Sequence, residues 1–140
     1  MEGQAAPAPE STAGTPNPDH KLAMWAHLAG GILDLLCFVA LLAPVPALII
    51  YLTNKEKSRF VAFHALQALI LQLVVMVINF LLWIPGMLGL FFVTIPLGFL
   101  INICAFVYAL VVALKAKDGQ WAEYVVIGDF VRKQHGPQAG

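Results

Sequence analysis

NKEKSRFVAFHALQALILQ, residues 54–72, decides the fold, because it leads from a loop holding Lys55, Glu56, Lys57 and Arg59 directly into an apolar run with a polar stripe. From Phe60 to Leu114 there is no Asp, Glu, Lys or Arg. An uncharged run of 55 residues accommodates two membrane spans of about 20 to 25 residues and not three. The divide falls at Trp83-Ile84-Pro85-Gly86, a turn signal beside an interfacial aromatic, giving one span over 60–83 and a second over 88–114 with a kink expected at Pro96.

Upstream, Leu22 to Leu52 is apolar with one charge, Asp34. As one helix it would reach roughly 46 Å, too long for a single span of a core about 30 Å thick and too short for two. Pro44 and Pro46 supply a break, giving a full span over 22–42 and a short piece over 47–53 that either completes a kinked crossing or turns back. The expected fold is therefore all-α: a polytopic transmembrane helical bundle of three long helices, the first broken by prolines, with three or four membrane segments. Its expected parts are a Pro/Ala-rich disordered tail (1–20), a transmembrane domain (21–117) and a cytoplasmic interfacial tail (118–140).

Composition agrees. The 140 residues are 60% hydrophobic and only 11% charged, against about a quarter charged in soluble domains. A formal net charge of zero gives no footprint for nucleic acid. Seven of the eight Lys and Arg residues lie at Lys55, Lys57 and Arg59 or at Lys115, Lys117, Arg132 and Lys133. The positive-inside rule then sets loop 54–59 and the C-terminus in the cytoplasm. The acidic first 20 residues carry no basic leader region, which points to a prokaryotic cell (inner) membrane with the first apolar run as insertion signal.

Polar residues inside the spans are the candidate functional groups. His64, Gln67, Gln72 and Asn79 fall within an arc of roughly 140° on one helix and should face protein, since an unpaired amide in hydrocarbon is costly. In the last span Gly98, Asn102, Ala105, Ala109, Val112 and Ala116 recur at steps of four and three, a seam of mostly small residues suited to close helix packing. In the first, Ala26 and Gly30 form a small-xxx-small pair, and His27 and Asp34 share a face with Gly31. Interhelical hydrogen bonding is the commoner use of such groups; a proton or ion relay through His27, Asp34 and His64 is the sharper reading. Cys37 and Cys104 read as small packing residues. No pair among the cysteines and intramembrane histidines has metal-ligand spacing, so neither cofactor nor metal is expected. No HExxH, GxSxG or paired intramembrane carboxylate supports hydrolytic chemistry. Beyond Asp118-Gly119, a stop for the last helix, Trp121, Tyr124 and Val125 are expected along the headgroup region.

The segments AHLAGG (26–31), SRFVAFHALQAL (58–69), and the ending A-x-K-A-x-x-G-x-x-x-x-Y (113–124) carry a resemblance. They resemble a prokaryotic family of small multi-pass membrane proteins, a domain of unknown function similar to the twenty-kilodalton inner-envelope component of the chloroplast import translocon (Tic-twenty-like). FHALQAL is its most specific part, and Val125 stands where such proteins often have Pro. The resemblance implies a non-enzymatic subunit or scaffold of a membrane assembly, in protein translocation or insertion, whose partners are the lipid bilayer and other membrane proteins or further copies of itself. The rival reading is a small proton- or ion-coupled transporter using Asp34 and His64.

Overall fold

Asn17 opens the first helix: its side-chain oxygen accepts from the Asp19 amide at 2.9 Å, and Pro18 takes the first helical position, where a missing N–H costs nothing. The computed structural model describes residues 17–36 and 40–135. It contains α1 (Pro18–Leu35), α2 (Pro44–Asn54), α3 (Arg59–Pro85), α4 (Phe91–Lys117) and α5 (Ile127–His135). A 3-10 turn, Ala40–Leu42, precedes α2, and a π turn, Gly86–Leu90, joins α3 to α4. There is no strand among the described residues, and the expected all-helical bundle is what forms. Residues 17–20, assigned to the tail on sequence grounds, lie at the start of α1; residues 1–16 fall outside the described part.

The α3–α4 hairpin is the frame. Each helix has 27 residues, about 40 Å at 1.5 Å per residue. The reversal turns on Gly89, whose φ of 97° is one that a side chain would strain. The arms are held by Asn79 Nδ2 donating to Asn102 Oδ1 at 2.8 Å, and Gly98 lets them approach, since a Cβ there would come within 3.2 Å of Asn79 Oδ1.

Pro44 and Pro46 do not kink a long first helix. Helix α1 ends at Leu35, and the prolines stand in the first turn of α2, where the backbone donors have no partner to lose. The chain doubles back. Ser58, the N-cap of α3, donates from its hydroxyl to Asp19 Oδ2 at 2.7 Å, while the His20 ring lies 5.2 Å from that of Phe60 and packs against Gly119. The start of α1, the α2–α3 loop and the end of α4 therefore share one end of the bundle. A Cβ on Gly30 would meet Ala43 O at 2.8 Å, so α2 begins beside the middle of α1. Fully buried Ala26, Ala47, Ala65 and Ala68 let α1, α2 and α3 pack closely. On α4 the small-residue seam is buried at Gly98, Asn102, Ala109, Val112 and Ala116 and half-buried at Ala105. Gly31 of α1 packs on it so closely that a Cβ there would have Phe106 and Ala109 within 3.7 Å. Cys104 is exposed on the outside of α4 rather than packed, and Cys37 lies outside the described residues.

Gly119, at φ 76°, stops α4 with its own N–H on Ala116 O and that of Gln120 on Lys115 O, both at 3.0 Å. The chain then turns back along the bundle as an extended segment, 120–124, and returns as α5. Tyr124, expected along the headgroup region, is instead buried in the bundle, and α5 is an element that the polar composition of the tail does not signal. Helix α5 buries Gly128 and Val131, and is fastened by an Arg132–Glu123 ion pair and by Tyr51 Oη to His135 Nε2 at 3.1 Å.

Partial burial, and secondarily the Arg59 charge, lower the pKa of His135 from its usual value. A depressed folded value means the neutral ring is preferred, so its contribution to docking is complete above about pH 6.5 and is lost as pH falls below that. Hydrogen exchange of the α5 amides, corrected for intrinsic rate, is expected to accelerate between pH 7.5 and 5.5 in wild type and to stay flat in His135→Asn. Single cysteines replacing Lys21, Lys57 and Gln134 are expected to react with an impermeant maleimide from one side of the membrane, and one replacing Leu88 from the other; labelling of Lys21→Cys on the Leu88 side would break the doubled-back topology.

Candidate functional site

The FHALQAL stretch puts His64 and Gln67 one turn apart on the buried face of α3, and both reach the extended segment after α4. Gln67 Nε2 donates to Ala122 O at 3.1 Å while its Oε1 accepts from Tyr124 N at 2.9 Å. One side-chain amide thus pairs with the segment as a neighbouring strand would. Tyr108 Oη accepts from Val125 N at 2.6 Å, and the Trp121 ring stands edge-on to Phe60 and tilted on Phe63 at 5.2 and 5.1 Å. Gln67 is eight residues into α3 and Tyr108 nine from the end of α4, so the segment dips about 12 to 14 Å along the bundle.

A directed chain of hydrogen bonds runs behind it. His64 Nε2 lies 3.0 Å from Gln120 O, His64 Nδ1 lies 3.0 Å from His27 Nε2, and His27 Nδ1 lies 2.8 Å from Tyr124 Oη. A carbonyl only accepts, so His64 Nε2 carries the proton and His64 Nδ1 accepts. His27 Nε2 must then donate, leaving His27 Nδ1 to accept from the Tyr124 hydroxyl. Both tautomers follow from one carbonyl. The chain ends on a group that cannot take up a proton, so it locks the segment rather than leading out of it.

The remaining candidates fall into two further clusters. Gln72, oriented so that its amide nitrogen donates to Asp34 Oδ2, accepts from Gly31 N at 3.1 Å. Gly30 leaves room for that amide. Asp34, 2% exposed, also borders a mostly apolar cleft of about 630 Å³ with Leu41, Met76, Phe80 and Trp83. Deeper still, Asn79 and Asn102 pair across the hairpin. The structure therefore joins His27 to His64 but not to Asp34, which bonds elsewhere. Lys55, Lys57, Arg59, Lys115 and Lys117 are all exposed at the shared end. Tyr124 and Tyr108 were not singled out as site residues by sequence reasoning; a Tyr three residues after Trp in a polar tail was the available signal for the first. Among the described residues no group of three or more His, Cys, Asp or Glu could hold a metal ion.

These features define a small polytopic helical membrane protein that secures its own C-terminal segment with intramembrane polar side chains. The chain belongs to the magnetosome magnetite crystal formation protein family, whose family model matches residues 18–131. It is 31% identical over 96 residues to a UPF0132 membrane protein of Archaeoglobus fulgidus, covering 69% of this chain and 87% of that one. No solved structure matches it.

His27→Leu strands both the Tyr124 hydroxyl and His64 Nδ1, at a cost of about 1 to 3 kcal/mol per buried group. His27→Gln keeps the chain's direction, its amide accepting from Tyr124 and donating to His64. Thermal unfolding in detergent is expected to fall by several degrees for the Leu variant and to stay near wild type for the Gln variant.

Proposed function

We propose that this chain is a non-enzymatic structural subunit of a membrane assembly, set in the cell membrane with the shared end, loop 54–59 and the C-terminus in the cytoplasm. The observation that carries this is the use made of the buried polar groups near that end. His27, His64 and Gln67 are committed to the chain's own backbone and to Tyr124, which leaves none of them facing an open cavity as a reacting group would. Helices of about 40 Å exceed a hydrocarbon core of about 30 Å, so the end bearing α5 and its charges stands in the headgroup layer while the uncharged Gly86–Leu90 turn marks the far boundary.

The family description supplies a setting, magnetosome magnetite crystal formation. The Gly86–Leu90 turn, GMLGL, offers no carboxylate, imidazole or hydroxyl to a mineral surface. In that setting the chain's contribution is to the membrane assembly. A role in translocation or insertion is the narrower form of the same reading and rests on the FHALQAL resemblance. Coupled transport through Asp34 and His64 draws less support, because Asp34 bonds to Gln72 and His64 ends on a carbonyl.

Extraction from native membranes in mild detergent is expected to give a complex well above the 15.2 kDa monomer, unchanged in size by Asp34→Asn. A proton flux in liposomes that Asp34→Asn abolishes, with a monomer in the native extract, would reverse the assignment in favour of transport.

A further inference from the structure

Between the far halves of α3 and α4 lies a cleft of about 560 Å³. Its α3 wall is Asn79, Leu82 and Trp83, continued by Gly86 at the start of the turn, and its α4 wall runs at the same three-and-four spacing from Thr94 to Asn102. Walls with that period over two to three turns bound a groove of helical dimensions. Upstream, helix α1 packs against both α3 and α4, with Gly30 on Gln72 and Gly31 on Phe106 and Ala109. It stops at Leu35, and Asn79 and Trp83 line both the cleft beside Asp34 and this one. Among the described residues no third helix lines this cleft.

The cleft is not uniformly apolar. Asn102 is 5% exposed, and its oxygen accepts from Asn79 Nδ2, which is also bonded to Val75 O. Among the described residues Asn102 Nδ2 has no acceptor, Asn79 Oδ1 has no donor, and the Thr94 hydroxyl makes no hydrogen bond, though all three residues line the cleft. Asn102 is eleven residues into α4, about 16 Å from the far end and well inside the hydrocarbon. Acyl chains reach it but offer no hydrogen bond. A free donor and a free acceptor at that depth are costly unless protein supplies their complements.

We propose that this cleft is the socket for one transmembrane helix of a partner protein, carrying at mid-bilayer a side chain that both donates and accepts a hydrogen bond: Asn, Gln, Ser or Thr. The proposal rests on the reading of the chain as an assembly subunit and names where that assembly is made. A second copy of the chain fits less well, because its own Asn pair is recessed in the same concave surface and two hollows do not bring their floors together.

The probes are two synthetic transmembrane peptides of Leu and Ala, identical except for one central Asn, each bearing a dansyl acceptor. Trp25→Phe/Trp121→Phe leaves Trp83, on the cleft wall, as the sole donor in the full chain reconstituted in phosphatidylcholine vesicles. Energy transfer from Trp83 is expected to show the Asn peptide binding about 3- to 20-fold tighter than its all-apolar twin, the equivalent of one membrane hydrogen bond. Asn102→Leu is expected to erase the difference, and Asn102→Ala serves if that variant does not fold. Equal binding of the two peptides, or a preference that survives both substitutions, overturns the socket. So does photocrosslinking from position 99 in native membranes that joins two copies of this chain. A native complex that persists in Asn102→Leu while the peptides bind equally removes the socket and leaves the assembly reading intact; a native monomer removes the assembly reading itself.

Discussion

An extended stretch of backbone pressed against a membrane helix bundle must find partners for its amides and carbonyls, and the carbonyls of Gln120 and Ala122 and the amides of Tyr124 and Val125 find theirs in side chains. That constraint organises the rest. Gln67 has to be an amide because it serves a carbonyl and an N–H together, and no carboxylate or hydroxyl can do both in that geometry. His64 lies one turn earlier because the carbonyl it serves is two residues earlier on the segment. Tyr124 is held at both ends, by its backbone N–H on Gln67 and its hydroxyl on His27, which explains why it is buried although it lies past the last long helix. The sharp stop at Gly119, whose would-be Cβ lies 2.5 Å from His20, aims the chain back along the bundle.

The α1–α2 hairpin solves a different problem. A helix of 18 residues followed by one of 11 enters and leaves at the same end, and about 27 Å of α1 cannot cover all of an α3 near 40 Å long. Close approach through four buried alanines lets both short helices lie against α3. Among the described residues no third helix covers the far third. Asp34 sits near the tip of this hairpin, where Gln72 gives the carboxylate a hydrogen-bond partner that the surrounding Leu, Met and aromatic side chains cannot.

The frame was legible in the sequence because hydropathy and charge report it directly: an uncharged stretch of two-span length, basic residues at both its ends, and a Pro-Gly divide within a few residues of the observed turn. The shared polar face of α3 was legible from spacing alone. The end of α1 was not, because Leu35 and Leu36 are as apolar as what precedes them, and prolines mark the start of a helix as readily as a break. The partners of His64 and Gln67 were hidden for a stronger reason. They are backbone groups 55 to 57 residues away, and a carbonyl has no residue type. Helix α5, nine residues with charges at three positions, reads as a polar tail until Val131 and Gly128 are seen against α3.

Along α3 the same kind of residue serves two ends, and depth separates them. His64 and Gln67 lie where the chain folds its own backbone against them, so their hydrogen-bonding capacity closes internally. Gln72 lies at the level of the α1 glycines and closes on Asp34 and Gly31. Asn79 lies past the tip of α1, with Asn102 as its one side-chain partner among the described residues, and there the capacity stays half open. Among the described residues the polar stripe is thus satisfied as far as α1 extends and left half open beyond it. Where α1 ends, a cleft between α3 and α4 continues with a donor and an acceptor unmatched among the described residues, the pair that the proposed partner helix would complete.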